Sequence, residues 1–185
     1  TDAGFDRLME LPRLRNLVAF GCKIGDAALA RLPQLQDIEE LNLGDTGFTD
    51  LTLDRIAQLP RLRVLYMWVT KVTDAGIQKL GELTDLEELY LANVPVTDEG
   101  LKFLSKLTKL KKLRLWATQV TDAGMDDLAK LTELRELDLG HTGVTDAGLK
   151  RLESLTRLQC FEANFGQIGE AARKEFVARL PNCNR

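Results

Sequence analysis

The chain repeats itself every 24 residues, and that period constrains its fold more than any local pattern does. The stretch from Leu137 to Leu149, LDLGHTGVTDAGL, has a near copy beginning at Leu41, LNLGDTGFTD, 96 residues earlier. A Thr-Asp pair or its substitute recurs at Thr1-Asp2, Gly25-Asp26, Thr49-Asp50, Thr73-Asp74, Thr97-Asp98, Thr121-Asp122, Thr145-Asp146 and Gly169-Glu170, with no slippage. A fixed period of this size marks a solenoid, propeller or array, whose units bury apolar surface only by stacking on each other. We therefore expect one continuous repeat domain over residues 1–185, with about seven to eight units.

Aligned units share one template. The third runs Leu59, Leu62, Leu65, Met67, Thr70, Val72, Thr73-Asp74, Ile77, Leu80; the fifth runs Leu107, Leu110, Leu113, Leu115, Thr118, Val120, Thr121-Asp122, Met125, Leu128. Apolar Leu65 and Met67 alternate with Tyr66 and Trp68, the period of a strand. Thr73 is placed as a helix N-cap, with Asp74 in the first turn where the helix dipole favours a carboxylate. Ile77 and Leu80 then recur at helical spacing. Gly76 is a poor helix former there, which points to close packing against a neighbouring unit. Each unit thus reads as one strand and one short helix, joined by right-handed crossovers into a parallel sheet.

The shared pattern L-x-x-L-x-L-x-x-T-x-V, with Thr in the Asn/Cys slot, resembles that of the leucine-rich repeat proteins. The resemblance covers essentially the whole chain. Its T-D-A-G-L tail is similar to the ribonuclease-inhibitor-like and cysteine-containing subfamily, and Cys22 occupies the Cys slot. It implies a right-handed α/β horseshoe with a concave parallel sheet and short convex helices. Cys22, Thr46, Thr70, Val94, Thr118, Thr142 and Gly166 should form one inward column in which Thr hydroxyls satisfy buried backbone groups, as Asn does in the family. Val94 and Gly166 cannot, so their units should be weaker or wetted.

The two ends differ from the middle. Residues 169–185 read as an amphipathic C-terminal cap: Phe176 and Leu180 cover the core while Arg173, Lys174, Glu175 and Arg179 face water. The Leu180-to-Cys183 ending resembles C-terminal caps of that subfamily. Position 1 already lies inside the motif, so the chain reads as a fragment without an N-terminal cap, leaving the strand near Asn16 to Phe20 with an open edge. No signal peptide is visible at its start.

A second period of 48 residues overlies the first. Arg13, Asp37, Arg61, Asp85, Lys109, Glu133 and Arg157 alternate in sign; Arg15, Glu39, Arg63, Glu87 and Lys111 do so until Arg135 and Gln159. Rungs lie roughly 5 Å apart, so alternation sets opposite charges side by side. A balanced ladder of this kind avoids like-charge stacking and makes a poor track for a charged ligand.

Function should lie on strand positions that point away from the core. These form three columns: Asn16, Glu40, Val64, Glu88, Lys112, Glu136, Cys160; then Val18, Asn42, Tyr66, Tyr90, Arg114, Asp138, Glu162; then Phe20, Gly44, Trp68, Ala92, Trp116, Gly140, Asn164. Both tryptophans and both tyrosines fall here, and Trp, Tyr and Arg are enriched at binding hot spots. Large rings alternate with Gly or Ala, so they have room to lie across neighbouring rungs. Ring packing and a recognition stripe of Tyr66, Trp68, Tyr90, Arg114, Trp116, Asp138 and Phe20 stand side by side at this point. Glu136, Asp138 and Glu162, near His141, form an acidic end that reads as solvated surface or as a site for a basic segment.

Little else suggests chemistry. His141 is the one histidine, and no metalloprotease, phosphate-loop, nucleophile-elbow or dinucleotide motif occurs. We expect no catalytic residue, cofactor or metal. Cys22 lies far from Cys160 and Cys183, while a disulfide between those two stays open. The net charge of −3 offers no basic field for nucleic acid, and no apolar run spans a bilayer. The expectation is a non-catalytic module that binds a protein or peptide on its concave face. Alternatives are carbohydrate or small-ligand binding on the ring stripe, and a recognition arm of a larger enzyme.

Overall fold

The computed structural model describes residues 5, 7, 8, 11 and 13–183. The Thr1-Asp2 pair lies outside them. Seven three-residue strands, β1 (Asn16–Val18), β2 (Glu40–Asn42), β3 (Val64–Tyr66), β4 (Glu88–Tyr90), β5 (Lys112–Arg114), β6 (Glu136–Asp138) and β7 (Cys160–Glu162), form one parallel sheet in chain order. Each residue pairs with its counterpart one repeat later, as in Leu41↔Leu65 and Leu65↔Leu89. The ladder runs past the strands: Ala19 N–H donates to Asn42 O (2.8 Å), and Gly21 N–H to Gly44 O (3.0 Å). The protein is therefore an α/β leucine-rich-repeat-type solenoid with an open sheet.

The opposite side carries the return segments. Three units form seven-residue helices, α1 (Asp50–Ile56), α2 (Asp74–Leu80) and α3 (Asp98–Leu104). The fifth unit is 3-10 over Asp122–Gly124, then α4 (Met125–Leu128); the sixth is α5 (Asp146–Leu149), then 3-10 over Lys150–Leu152. The first is wholly 3-10, Ala28–Gln34, with Pro33 inside it lacking the N–H a longer helix needs. Each unit thus has the expected short helix, α-helical in the second to fourth and wholly or partly 3-10 in the first, fifth and sixth. Segments this short sit where the two helix types compete. The C-terminal helix is α6 (Glu170–Ala178), with Phe176 and Leu180 buried.

The core is a set of columns. Leu41, Leu65, Leu89, Leu113 and Leu137 are fully buried, as are Phe48, Val72, Val96, Val120 and Val144. Burying each Leu is worth about 1.5–3 kcal/mol, and each is shielded by the units on either side.

A second joint holds the units together, and it corrects the reading of the Thr-Asp pair. The Thr is a helix cap, accepting from the N–H two residues on at Thr49, Thr97, Thr121 and Thr145, whereas Thr73 holds the N-cap position without that bond. The Asp, however, reaches the next unit. Thr97 N–H and hydroxyl donate to Asp74 (2.9 and 2.6 Å); Thr121 donates likewise to Asp98 (2.8 and 2.6 Å) and Thr145 to Asp122 (2.8 and 2.6 Å). Thr49 and Thr73 make the same clasps with Asp26 and Asp50. This explains the glycine: a Cβ at Gly124 would come 2.6 Å from Asp98 Oδ1. At Gly100 it would come 2.5 Å from Asp74 Oδ1. The expected close approach is real, and the object approached is the clasping carboxylate.

The Thr column also needs correction. Thr46, Thr70, Thr118 and Thr142 are buried and donate to the carbonyl three residues back, at Leu43, Met67, Leu115 and Leu139 (2.7–2.8 Å). These bonds stay within one unit and do not bridge units. Val94 is buried in the column, whereas Cys22 and Gly166 are exposed, so the column is inward only from Thr46 to Thr142.

The charge ladder resolves into short links. Arg61–Asp37 (2.6 Å), Lys109–Asp85 (2.5 Å) and Arg157–Glu133 are separate pairs, while Glu87 bridges Arg63 (3.1 Å) and Lys111 (2.6 Å). All lie at the surface with their cations open to solvent, so each contributes about 0–1 kcal/mol.

Candidate functional site

The parallel register lines up the three outward columns as the alternation required. Asn42, Tyr66, Tyr90, Arg114, Asp138 and Glu162 follow one another across the sheet. A fourth column borders them. Gly21, Asp45, Val69, Asn93, Ala117, His141 and Phe165 all take positive φ, one residue past the Trp column. The N–H groups of the first six continue the ladder, for example Asn93 to Trp116 O (2.8 Å). This backbone turns the chain out of the sheet at the same point in every unit, and at Val69 (φ 53°) a β-branched residue bears the strain.

Rings fill the face in three groups. Phe20 and Trp68 lie 4.8 Å apart by ring centre, tilted by 35°. Tyr66 and Tyr90 stack at 4.2 Å and 16°. Trp116 meets His141 edge-on at 4.9 Å, and His141 stacks on Phe165 at 5.2 Å. The two indoles lean in opposite directions. A Cβ on Gly44 would lie 2.6 Å from Trp68 Cε2, and one on Gly140 would lie 2.7 Å from Trp116 Cδ1. Trp68 thus covers the preceding unit and Trp116 the following one. Both indoles remain partly open, Trp116 by 40%; Phe20 is open by 49% and Phe165 by 80%.

Arg114 is tied down. Its guanidinium reaches Glu162 (2.9 Å), Glu136 (3.3 Å) and Asp138 (3.7 Å). Lys112 lies between Glu88 (3.4 Å) and Glu136 (3.3 Å). Asp138 is buried and accepts Gly140 N–H (2.9 Å). Burial raises its pKa above the ordinary carboxylate value, and the nearby Glu162 charge adds to this, against the opposing pull of Gly140 N–H and Arg114. Burial, then the bond to Glu88 (2.8 Å), pushes the Tyr90 hydroxyl far above its usual range. The Cys160 thiol is likewise raised, first by burial and then by Glu162.

The sequence-derived residues therefore fall into a pair (Phe20, Trp68), a stack (Tyr66, Tyr90), an ion cluster (Arg114 with Asp138) and Trp116 beside a ring row. Two members of that row, His141 and Phe165, were missed as site residues. Their 24-residue spacing from Gly21, Asp45 and Val69 was the available signal.

Other candidates are sparse. His141 is engaged by rings on both sides. Cys160 and Cys183 are free thiols lining one open cavity of about 1030 Å³ between β7 and α6, together with Phe161, Val177 and Leu180. Among the described residues no three His, Cys, Asp or Glu side chains converge as metal ligands, and no helix is long and apolar enough to cross a membrane.

Comparison with known proteins agrees with this geometry. A family model described as a leucine-rich repeat region matches residues 13–185. The solved structure of an internalin C2 from Listeria monocytogenes is similar at 25% identity and a TM-score of 0.75, covering 99% of this chain and 72% of that one. An internalin from the same organism (internalin F) shares 20% identity with a TM-score of 0.62, over 91% of this chain and 52% of that one. A leucine-rich repeat protein of Leptospira interrogans shares 21% identity with a TM-score of 0.66, over 96% and 50%. The chain thus spans about half the length of the latter two. No curated protein matches significantly.

Proposed function

Because the chain belongs to the leucine-rich repeat family, whose domains commonly serve as protein-binding scaffolds, we propose that its exposed sheet face is a non-catalytic binding surface for a protein or peptide. The observation that carries this is the concentration of partly open rings on one face. Phe20, Tyr66, Trp68, Tyr90, Trp116 and Phe165 all border the same four columns. Amphipathic aromatic surface left open beside rigid strands suits hot-spot contacts. Arg114 and Asp138 act mainly as support, since their charges are spent on each other and on Glu136 and Glu162.

A sugar-binding stripe fits less well. The tyrosine rings cover one another at 4.2 Å, and each indole lies on a glycine, so few flat faces stay clear for a pyranose. A place as the recognition arm of a larger enzyme rests only on analogy with multi-domain members of the family. The domain boundaries read above, including a cap from residue 169, belong with this proposal. So does the finer kinship with ribonuclease-inhibitor-like repeats, which rests on the Thr-Asp-Ala-Gly tails and the Leu180-to-Cys183 ending; exposed Cys22 does not support it.

The test is selection of displayed random peptides against the intact protein, followed by binding of the selected peptides to the Trp68→Ala/Trp116→Ala double variant. We expect binding to be lost while the thermal midpoint stays within a few degrees. Peptides that bind the double variant as well as the parent would refute the face as the site.

A further inference from the structure

Charge is not spread evenly over this molecule. The four columns of the face hold six carboxylates, Glu40, Asp45, Glu88, Glu136, Asp138 and Glu162, against two cations, Lys112 and Arg114. That surplus of four negative charges exceeds the whole chain's surplus of three, so the remaining surface is positive by one. Off the face, opposite-sign pairs between repeats such as Arg61–Asp37 and Lys109–Asp85 cancel locally, whereas on it Lys112 and Arg114 offset only two of the six carboxylates. The acidic field is therefore a property of the ring-bearing face alone.

The same face shows how it receives a cation. The Arg114 guanidinium sits among three carboxylates at 2.9–3.7 Å, and the cluster remains two charges negative after it is counted. Beside it stands the Trp116–His141–Phe165 row, with Phe165 largely open. Toward the chain start, exposed Asp45 follows Gly44, on which the Trp68 ring lies. Aromatic faces next to carboxylates favour cations twice, through ring quadrupoles and through opposite charge.

We propose that the occupant of this face is a basic peptide segment, Lys- or Arg-bearing, lying across the strands with its cations set between the ring groups and the carboxylates of Asp45, Glu40 and Glu162. This rests on the binding reading above and narrows it to one partner chemistry. Because the carboxylates spread from Glu40 to Glu162 over six strands, the segment is extended rather than a single charged tip.

The experiment uses synthetic dodecapeptides that alternate Arg with Leu, matched by Glu–Leu and Gln–Leu versions, titrated by fluorescence anisotropy. The basic peptide should bind, with affinity falling at least tenfold as salt rises from about 50 to about 500 mM, because exposed charges are screened within a few ångströms at the higher salt. The Glu40→Gln/Asp45→Asn/Glu162→Gln triple variant should weaken it by about tenfold or more with the melting point within a few degrees of the parent, since Arg114 keeps Glu136 and Asp138, each lost contact being of the size of an exposed ion pair or cation–π contact. Asn suits position 45 because it tolerates the left-handed backbone there (φ 52°). Asp126→Asn, on the helical side, is the control that should change nothing. Equal binding of the neutral or acidic peptide, or full binding by the triple variant, would overturn the proposal. If library peptides require Trp68 and Trp116 yet carry no basic residues, the face binds peptides and only this proposal fails. If no binding depends on those tryptophans, both readings fail.

Discussion

The clasp between units makes a quantitative claim about Asp122 and Gly148. Thr145 donates to Asp122 through its N–H (2.8 Å) and its hydroxyl (2.6 Å). Charge-assisted bonds are worth about 1.5–3 kcal/mol each, but this site is partly open to water, so we take roughly 1 kcal/mol apiece. Asp122→Ala should therefore cost about 2 kcal/mol. A Cβ added at Gly148 would overlap Asp122 Oδ1 and lie 2.9 Å from its Cγ, so Gly148→Ala must push the carboxylate out of the clasp. It should cost a similar ~2 kcal/mol, less the roughly 0.5–1 kcal/mol that Ala gains over Gly in a helix. Once Asp122 is Ala, the obstacle is gone, and adding Gly148→Ala should be neutral or slightly stabilising. Val144 Cγ1, at 3.0 Å from the added Cβ, contributes in both backgrounds and cancels from the cycle. Urea midpoints for the parent, both single variants and the double variant give a coupling of about 2 kcal/mol if the clasp is as described. Costs that add to within about 0.5 kcal/mol would refute it, and the glycine would need another explanation.

Three further outcomes follow from the same structure. Burial works to raise the Asp122 pKa, but the Thr145 bonds outweigh it and hold it below the ordinary 3.8. A depressed folded-state value stabilises the protein above pH 3.8 and loses that contribution as pH falls through the folded value, so the gap in urea midpoint between parent and Asp122→Ala should shrink between about pH 6 and about pH 3. Thr118→Val should cost about 0.5–1 kcal/mol by removing the hydroxyl's bond to the buried Leu115 carbonyl, which keeps the backbone N–H of residue 118 (3.1 Å) as a donor, measured by urea denaturation; Val94 already shows that the shape fits, so a cost near zero would remove the hydroxyl's role. Val69→Gly should stabilise by about 1 kcal/mol by relieving a β-branched residue at φ 53°, and a lowered melting point would show that the Val side chain matters more than the backbone.

The stacking of the units was legible because it follows from a period alone. Leu65 and Met67 had to be inside, and Tyr66 and Trp68 outside, once a strand was assigned. The role of Asp74 was not legible, because a carboxylate at a helix start has a sufficient local explanation. Its real partner, Thr97, is 23 residues away, and only the spacing between units reveals it. Gly76 carried the clue, since a helix-breaking residue repeated in phase implies a neighbour that needs the space. The face was read correctly as columns, yet His141 and Phe165 were passed over because they follow the alternating run. Their left-handed backbone has no sequence mark when the residues are Val, Ala, His and Phe. Nor could the columns tell which way each indole would lean, because Trp68 and Trp116 each have a small residue on either side.

The alternation over 48 residues bears on how such a protein changes length. Each 24-residue module carries both halves of the clasp, a Thr to be gripped and an Asp to grip, so any module could follow any other as far as that joint is concerned. The charged column does not allow this freedom: removing one module would set Arg61 against Lys109, and ring would meet ring where Trp68 now has Ala92 for a neighbour. Adding or removing modules in even numbers keeps the sign alternation of the column from Arg13 to Arg157, whereas odd numbers break it. In that column the repeating unit of the array is the couple, although its folding unit is the single turn.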